Sequence, residues 1–295
     1  MKYYPLEKID IGEEVIAYRK AGNRGKKLLL IHGNMTSSVH FNILMDEISN
    51  DYEIVAPDLR GFGESSYNNS FDSLEELAND LKLFIEKIGF NDFDVLGWST
   101  GGGVALYLAK MLPERINKIY LVESVGVMGY PMYKKDENFQ PILDEILLTK
   151  EDIKKDPVQV APALQALKDK NTSYYKMVWN MLIYNNGNFP EHDLYDVYLK
   201  DILTQKNLVD IDYSLTRFNI TDNSNEYGKG DGSYREIKMP IVIIHGKKDI
   251  VVPYTEAEEI KELFKDQARL ISFENSGHSP FIDNMQGVVK AIKED

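Results

Sequence analysis

Short aliphatic runs recur along the chain, separated by stretches with helical spacing. KKLLLIHG (26–33), YEIVAPDLRG (52–61), FDVLGW (93–98), INKIYLVES (116–124), MPIVIIHG (239–246) and ARLISFEN (268–275) are each strand-sized and rich in Val, Ile and Leu. Strands covered on both faces have this composition, and their alternation with helices predicts a mostly parallel α/β sheet flanked by helices. EKIDI and EEVIAYRKAG, ahead of the first run, predict an antiparallel hairpin at one edge. Between the second and third runs, Leu74, Leu77, Leu81, Phe84, Ile85 and Ile88 keep helical spacing. Ser73 with Glu76 predicts a capping box at its start, and Gly89 its end. VALYLAKML then puts Val104, Leu108, Met111 and Leu112 on one helix face before Pro113 stops it.

From about Val125 to Arg235 the strand rhythm lapses. FQPILDEILL, VAPALQALKDK, SYYKMVWNMLIY and DLYDVYLKDIL are expected to be helical, and the Gly-rich TDNSNEYGKGDGS (221–233) to lead back to the sheet. The expected organisation is therefore a core domain of residues 1–125 and 236–295 interrupted by a helical insertion, 126–235. SYYKMVWNMLIY is apolar on most faces, so it should pack both on its own insertion and on something else.

Composition narrows the class. The 295 residues hold 34 Lys+Arg against 47 Asp+Glu, a formal net charge of −13, with 43% hydrophobic residues. An acidic chain without a basic cluster does not suit nucleic acid or an anionic membrane. There is no cysteine, so disulfides, thiolate metal sites and a Cys nucleophile are excluded. The N-terminus lacks a signal-peptide apolar stretch and the aliphatic runs are too short to span a bilayer, so a cytoplasmic protein without membrane insertion is expected. No His/Asp/Glu group has metal-ligand spacing and no phosphate-binding Gly loop is present, so no cofactor or metal is expected.

The candidate chemistry sits after the strands. GWSTG (97–101) fits Gly-x-Ser-x-Gly directly between a strand and a helix, the setting of a nucleophile elbow. HGNMTSS (32–38) follows another strand. Asp249 follows the MPIVIIHG strand and His278 follows the last one, giving the order Ser, Asp, His at one sheet edge, where open α/β sheets place their sites. Glu123, ending IYLVES, is an alternative acid. His32, His40, His192 and His245 are expected to be structural or solvated.

In these motifs, and over essentially its whole length, the chain resembles the α/β-hydrolase family with a cap over the active site; DLRGFGES (58–65) matches a loop common in capped members. The resemblance implies Ser99 as nucleophile, His278 as base and then acid, Asp249 as its orienting partner, and the amides of Asn34 and Thr100 as oxyanion donors. HGNMTSS resembles haloalkane dehalogenases, but those use an Asp nucleophile where this chain has Ser99, which favours acyl transfer from a carbonyl substrate. GWSTGG resembles the box of intracellular short-chain polyhydroxyalkanoate depolymerases. The expected activity is hydrolysis of carboxylic esters of small to medium apolar acyl groups, with a small-molecule ester as partner. A lactonase, a carbon–carbon bond hydrolase or a slow-turnover ligand receptor could use the same triad. Met35, Trp98, Met177, Trp179 and Met181 are the expected substrate-binding residues.

Overall fold

The computed structural model describes residues 4–294. In chain order, the first part comprises β1 (Leu6–Asp10), β2 (Val15–Ala21), β3 (Lys26–Ile31), α1 (Asn42–Ile48), β4 (Tyr52–Pro57), α2 (Leu74–Ile88), β5 (Phe93–Trp98), α3 (Thr100–Met111) and β6 (Ile116–Val122). The chain then leaves the sheet for β7 (Tyr133–Lys135), β8 (Pro141–Ile146), α4 (Lys150–Lys154), α5 (Ala161–Lys168), α6 (Thr172–Leu182), α7 (His192–Asp201), α8 (Leu208–Arg217), β9 (Ser224–Asn225) and β10 (Gly228–Lys229). It returns through β11 (Ile241–Gly246), α9 (Tyr254–Phe264), β12 (Ala268–Phe273), α10 (Pro280–Asp283) and α11 (Met285–Lys293).

Eight strands form one sheet in the order β1-β2-β4-β3-β5-β6-β11-β12. β1 and β2 form the expected antiparallel edge, and β3 to β6, β11 and β12 run parallel. Neighbouring residues on each central strand serve opposite cores, as the two-residue period requires. Leu29, Ile31, Val95, Leu121 and Ile243 join α2, α3 and α9 on one face. Leu28, Leu30, Leu96, Val122 and Ile244 join α1 and α11 on the other.

The helix α2 begins as expected, with the Ser73 hydroxyl accepting from the Glu76 amide, and ends at Gly89 with φ +66°. Glu76 reaches past its cap to the Asp72 amide instead of closing the box. A clearer difference is FQPILDEILL, which forms β8 paired with β7 and not a helix. Asp136 accepts from the amides of Asn138 and Gln140, Phe139 adopts φ +61°, and the resulting turn makes a hairpin. The expected helices of VAPALQALKDK, SYYKMVWNMLIY and DLYDVYLKDIL are present as α5, α6 and α7. α8 was not anticipated, although Leu208, Ile211 and Leu215 carry the helical period and are buried. No helix among the described residues is long and apolar enough to cross a membrane.

Candidate active site

Ser99 occupies the single residue between β5 and α3, with φ +55° and ψ −124°, a conformation that L-residues rarely adopt. The turn is fixed from several sides. The Ser99 amide donates to the Val122 carbonyl at 3.0 Å, and its carbonyl accepts from Gly102 (2.9 Å) and Val125 (3.2 Å). Its glycines are required by crowding: a Cβ on Gly97 would lie 2.3 Å from the Gly101 carbonyl oxygen, and one on Gly101 2.3 Å from that of Ile31. Backbone strain held by surrounding contacts is a feature of functional turns.

The loops after β11 and β12 bring Asp249 and His278 to this turn. His278 Nδ1 lies 2.7 Å from Asp249 Oδ2, and Nε2 lies 3.0 Å from Ser99 Oγ. An ionised carboxylate only accepts, so Nδ1 carries the proton and Nε2 presents a lone pair to the Ser99 hydroxyl. Asp249 Oδ1 is held by the amides of Val251 (2.8 Å) and Val252 (3.0 Å). Burial opposes ionisation of Asp249, yet the facing His278 and the Val252 amide outweigh it and keep the carboxyl below its ordinary range. Trp98 Nε1 donates to the His278 carbonyl at 2.9 Å, fixing the histidine loop to the sheet.

Asn34, Ser99 and Thr100 line one cavity of about 310 Å³, together with Val125, Tyr130, Gln159, Leu215, Val252 and Glu256. Asn34 and Thr100 therefore both border the space beside Ser99. The Asn34 side chain is committed elsewhere: Oδ1 accepts from the Met35 amide and Gln205, both at 2.8 Å, and Nδ2 donates to Asp212 at 3.3 Å. A wider surface groove of about 490 Å³ between Lys8 and Lys206 contains none of the residues that line the Ser99 cavity.

None of the five expected substrate-binding residues lines this cavity. Tyr175 and Trp179, four apart on α6, face a cluster with Tyr195, Tyr198 and Leu199 of α7, leaving Trp179 2% exposed. Met177 and Met181 are on the opposite side of α6, 59% and 60% exposed. Trp98 is buried against Phe41 and Phe281, and Met35, with φ +58°, packs on the apolar clusters. Sequence reasoning missed Tyr130, Gln159, Leu215 and Glu256. Of these, only Glu256, seven residues beyond Asp249 on the same loop-to-helix segment, had a positional signal.

The remaining histidines have structural surroundings. His32 Nε2 accepts from the Leu59 amide at 2.9 Å, and burial pushes its pKa down to about 4. His40 stacks on Tyr198 at 3.9 Å, and burial lowers its pKa to about 3. His192 is exposed at the start of α7. Glu123, His245 and Asp249 bring their ligand-type atoms within 4.8 Å of one another. They do not suit a metal: His245 Nε2 faces the Val252 carbonyl at 2.9 Å and so carries its proton, while Asp249 is engaged by His278 and Glu123 by Gly246.

Residues 26–285 match the family described as alpha/beta hydrolase fold. Lipase 1 of Psychrobacter immobilis is 26% identical over 275 residues, covering 92% of this chain and 77% of that protein. A thermophilic esterase from Thermogutta terrifontis, solved with malate bound, superposes with a TM-score of 0.72 at 18% identity, covering 98% of this chain and 97% of that one. An esterase from Exiguobacterium antarcticum gives 0.71 at 20% identity, with 95% of each chain covered.

Proposed function

The chain belongs to the α/β-hydrolase family, and we propose that it is a serine hydrolase of carboxylic esters with small or medium apolar acyl groups. The observation that carries this reading is the continuous Asp249–His278–Ser99 relay, with contacts of 2.7 and 3.0 Å. In this mechanism Ser99 Oγ attacks the ester carbonyl while His278 Nε2 takes its proton. The amides of Asn34 and Thr100 receive the oxyanion, and Asp249 stabilises the imidazolium. His278 returns the proton to the departing alcohol, leaving an acyl-enzyme on Ser99. A water molecule, deprotonated by His278, then releases the acid.

The cavity supports the substrate class. About 310 Å³, walled by Val125, Leu215, Val251, Val252 and Pro253, suits a short apolar acyl group better than a long lipid chain. Tyr130, Gln159 and Leu215 belong to the 126–235 insertion, which we read as a cap over the active site. Hydrolysis of p-nitrophenyl butyrate, with a fluorophosphonate adduct mapped to Ser99, tests the proposal. Absence of both would refute it.

A further inference from the structure

A second carboxyl group stands behind the relay and has no part in the mechanism above. Glu123 follows β6 with φ +43° and is fully buried. Both its oxygens accept from the Gly246 amide, at 2.9 and 3.0 Å, and one of them lies within 4.8 Å of an Asp249 carboxylate oxygen. His245, at the end of β11, brings Nε2 to 3.3 Å from Glu123 and 3.7 Å from Asp249. Other ionisable groups facing this cluster are His278, beyond β12, Asp283 of α10, and Tyr254 of α9, whose ring meets that of His245 at 5.9 Å. No lysine or arginine ion-pairs with Glu123 among the described residues.

Two carboxyl groups buried this close together, with no lysine or arginine paired to Glu123, are costly to hold both ionised, so one of them should keep a proton. We propose that Glu123 is a positioning residue whose proton is donated to Asp249, so that the relay carries one negative charge and Asp249 stays aimed at His278. Burial, and after it the Asp249 charge, push the Glu123 carboxyl well above the ordinary carboxylate range, with the Gly246 amide opposing them. Asp249 takes the charge because His278 and two loop amides stabilise it there. Loss of the Glu123 proton at alkaline pH would set two carboxylates against each other, displace Asp249 and lower the rate. The proton thus gives the relay an upper pH limit without touching substrate.

The proposal rests on the hydrolase reading only in its kinetic arm, so the two can fail separately. The first measurement is the infrared C=O stretch of a protonated carboxylic acid in the intact protein. It is made well above pH 7, where the carboxyls of Asp201, Asp212 and Glu256, which burial raises to about 7, have ionised. Subtracting the spectrum of Glu123→Gln should reveal one protonated acid that persists there and disappears at higher pH. No such difference would overturn the proposal, whatever the protein hydrolyses. In the kinetic arm, Glu123→Gln keeps an acceptor for Gly246 and a donor for Asp249 but cannot ionise. Its kcat/KM should lose the wild-type alkaline limb. Glu123→Ala, lacking the donor, should lose about tenfold in kcat/KM and shift its acid limb to higher pH, because Asp249 then holds the imidazolium more strongly. Retention of the alkaline limb in Glu123→Gln would also overturn the assignment.

Discussion

Gly33 stands so close to Ser99 that a Cβ on it would lie 2.9 Å from the Ser99 Cβ and 3.1 Å from the Trp98 carbonyl oxygen. The loop that carries Asn34 is therefore set directly against the serine turn. Gly33→Ala should push the two apart by a few tenths of an ångström or more, moving the amide away from the oxyanion. The expected result is a fall in kcat/KM for p-nitrophenyl butyrate on the order of 10²-fold. A folded variant with a near-normal rate would show that this contact does not set the oxyanion geometry.

Asp249→Asn should lower kcat by about 10⁴-fold. The amide can donate to Nδ1 and so favour the tautomer that leaves Nε2 protonated and unable to accept from Ser99. It also removes the charge that stabilises the imidazolium. Glu123→Gln, which keeps the Asp249 carboxylate, should cost far less. Steady-state kinetics on both variants would establish the ranking, and the reverse order would transfer the orienting role to the end of β6.

Acyl-chain preference should follow Leu215 and not α6. Leu215 is buried and lines the Ser99 cavity, so Leu215→Ala opens space for a longer chain. The ratio of octanoate to butyrate kcat/KM should rise roughly 10-fold. Met181→Ala, on the exposed face, should leave that ratio at its wild-type value. A shift with Met181→Ala and none with Leu215→Ala would put the acyl chain in a different space.

Asp212 gives a pH test of stability. Burial chiefly, and then the Asp156 charge, raise its carboxyl to about 7 from an ordinary 3.8. The folded state thus holds a proton that the unfolded state has released, so this group costs stability as pH rises through that window. Asp212→Asn cannot ionise and should escape the cost. Its Tm relative to wild type should therefore become more favourable from pH 4 to above pH 7, with each kcal/mol showing as roughly 2 °C in a chain of this size. A constant difference across that range would refute the buried, protonated carboxyl.

Much of this architecture was legible because its signals are local. Near-continuous Val, Ile and Leu mark β3 to β6, β11 and β12, and the Ser73 cap and Gly89 stop bound α2. The loop positions of Ser99, Asp249 and His278 follow once the strands are aligned parallel. The walls of the cavity were less legible because they depend on how distant segments pack. The apolar pattern of α6 suggested a pocket wall, but Tyr175 and Trp179 bury their face against α7 and turn Met177 and Met181 outward. Tyr130 and Gln159 come from segments without a strong period. FQPILDEILL satisfied helical spacing, yet the Asp136 turn fixed it as a hairpin strand, an instance of turn chemistry outweighing a weak apolar pattern.

The central claim is that Ser99 is the nucleophile of an ester hydrolase, and Ser99→Ala measured against p-nitrophenyl butyrate tests it most directly. The substitution removes one oxygen at a turn held by backbone contacts, so the circular dichroism spectrum and Tm should stay close to wild type. With Ser99 as nucleophile, kcat/KM should fall by about 10³-fold or more, with loss of the fluorophosphonate adduct. A cleanly folded Ser99→Ala protein that retained more than about a tenth of wild-type kcat/KM would contradict it.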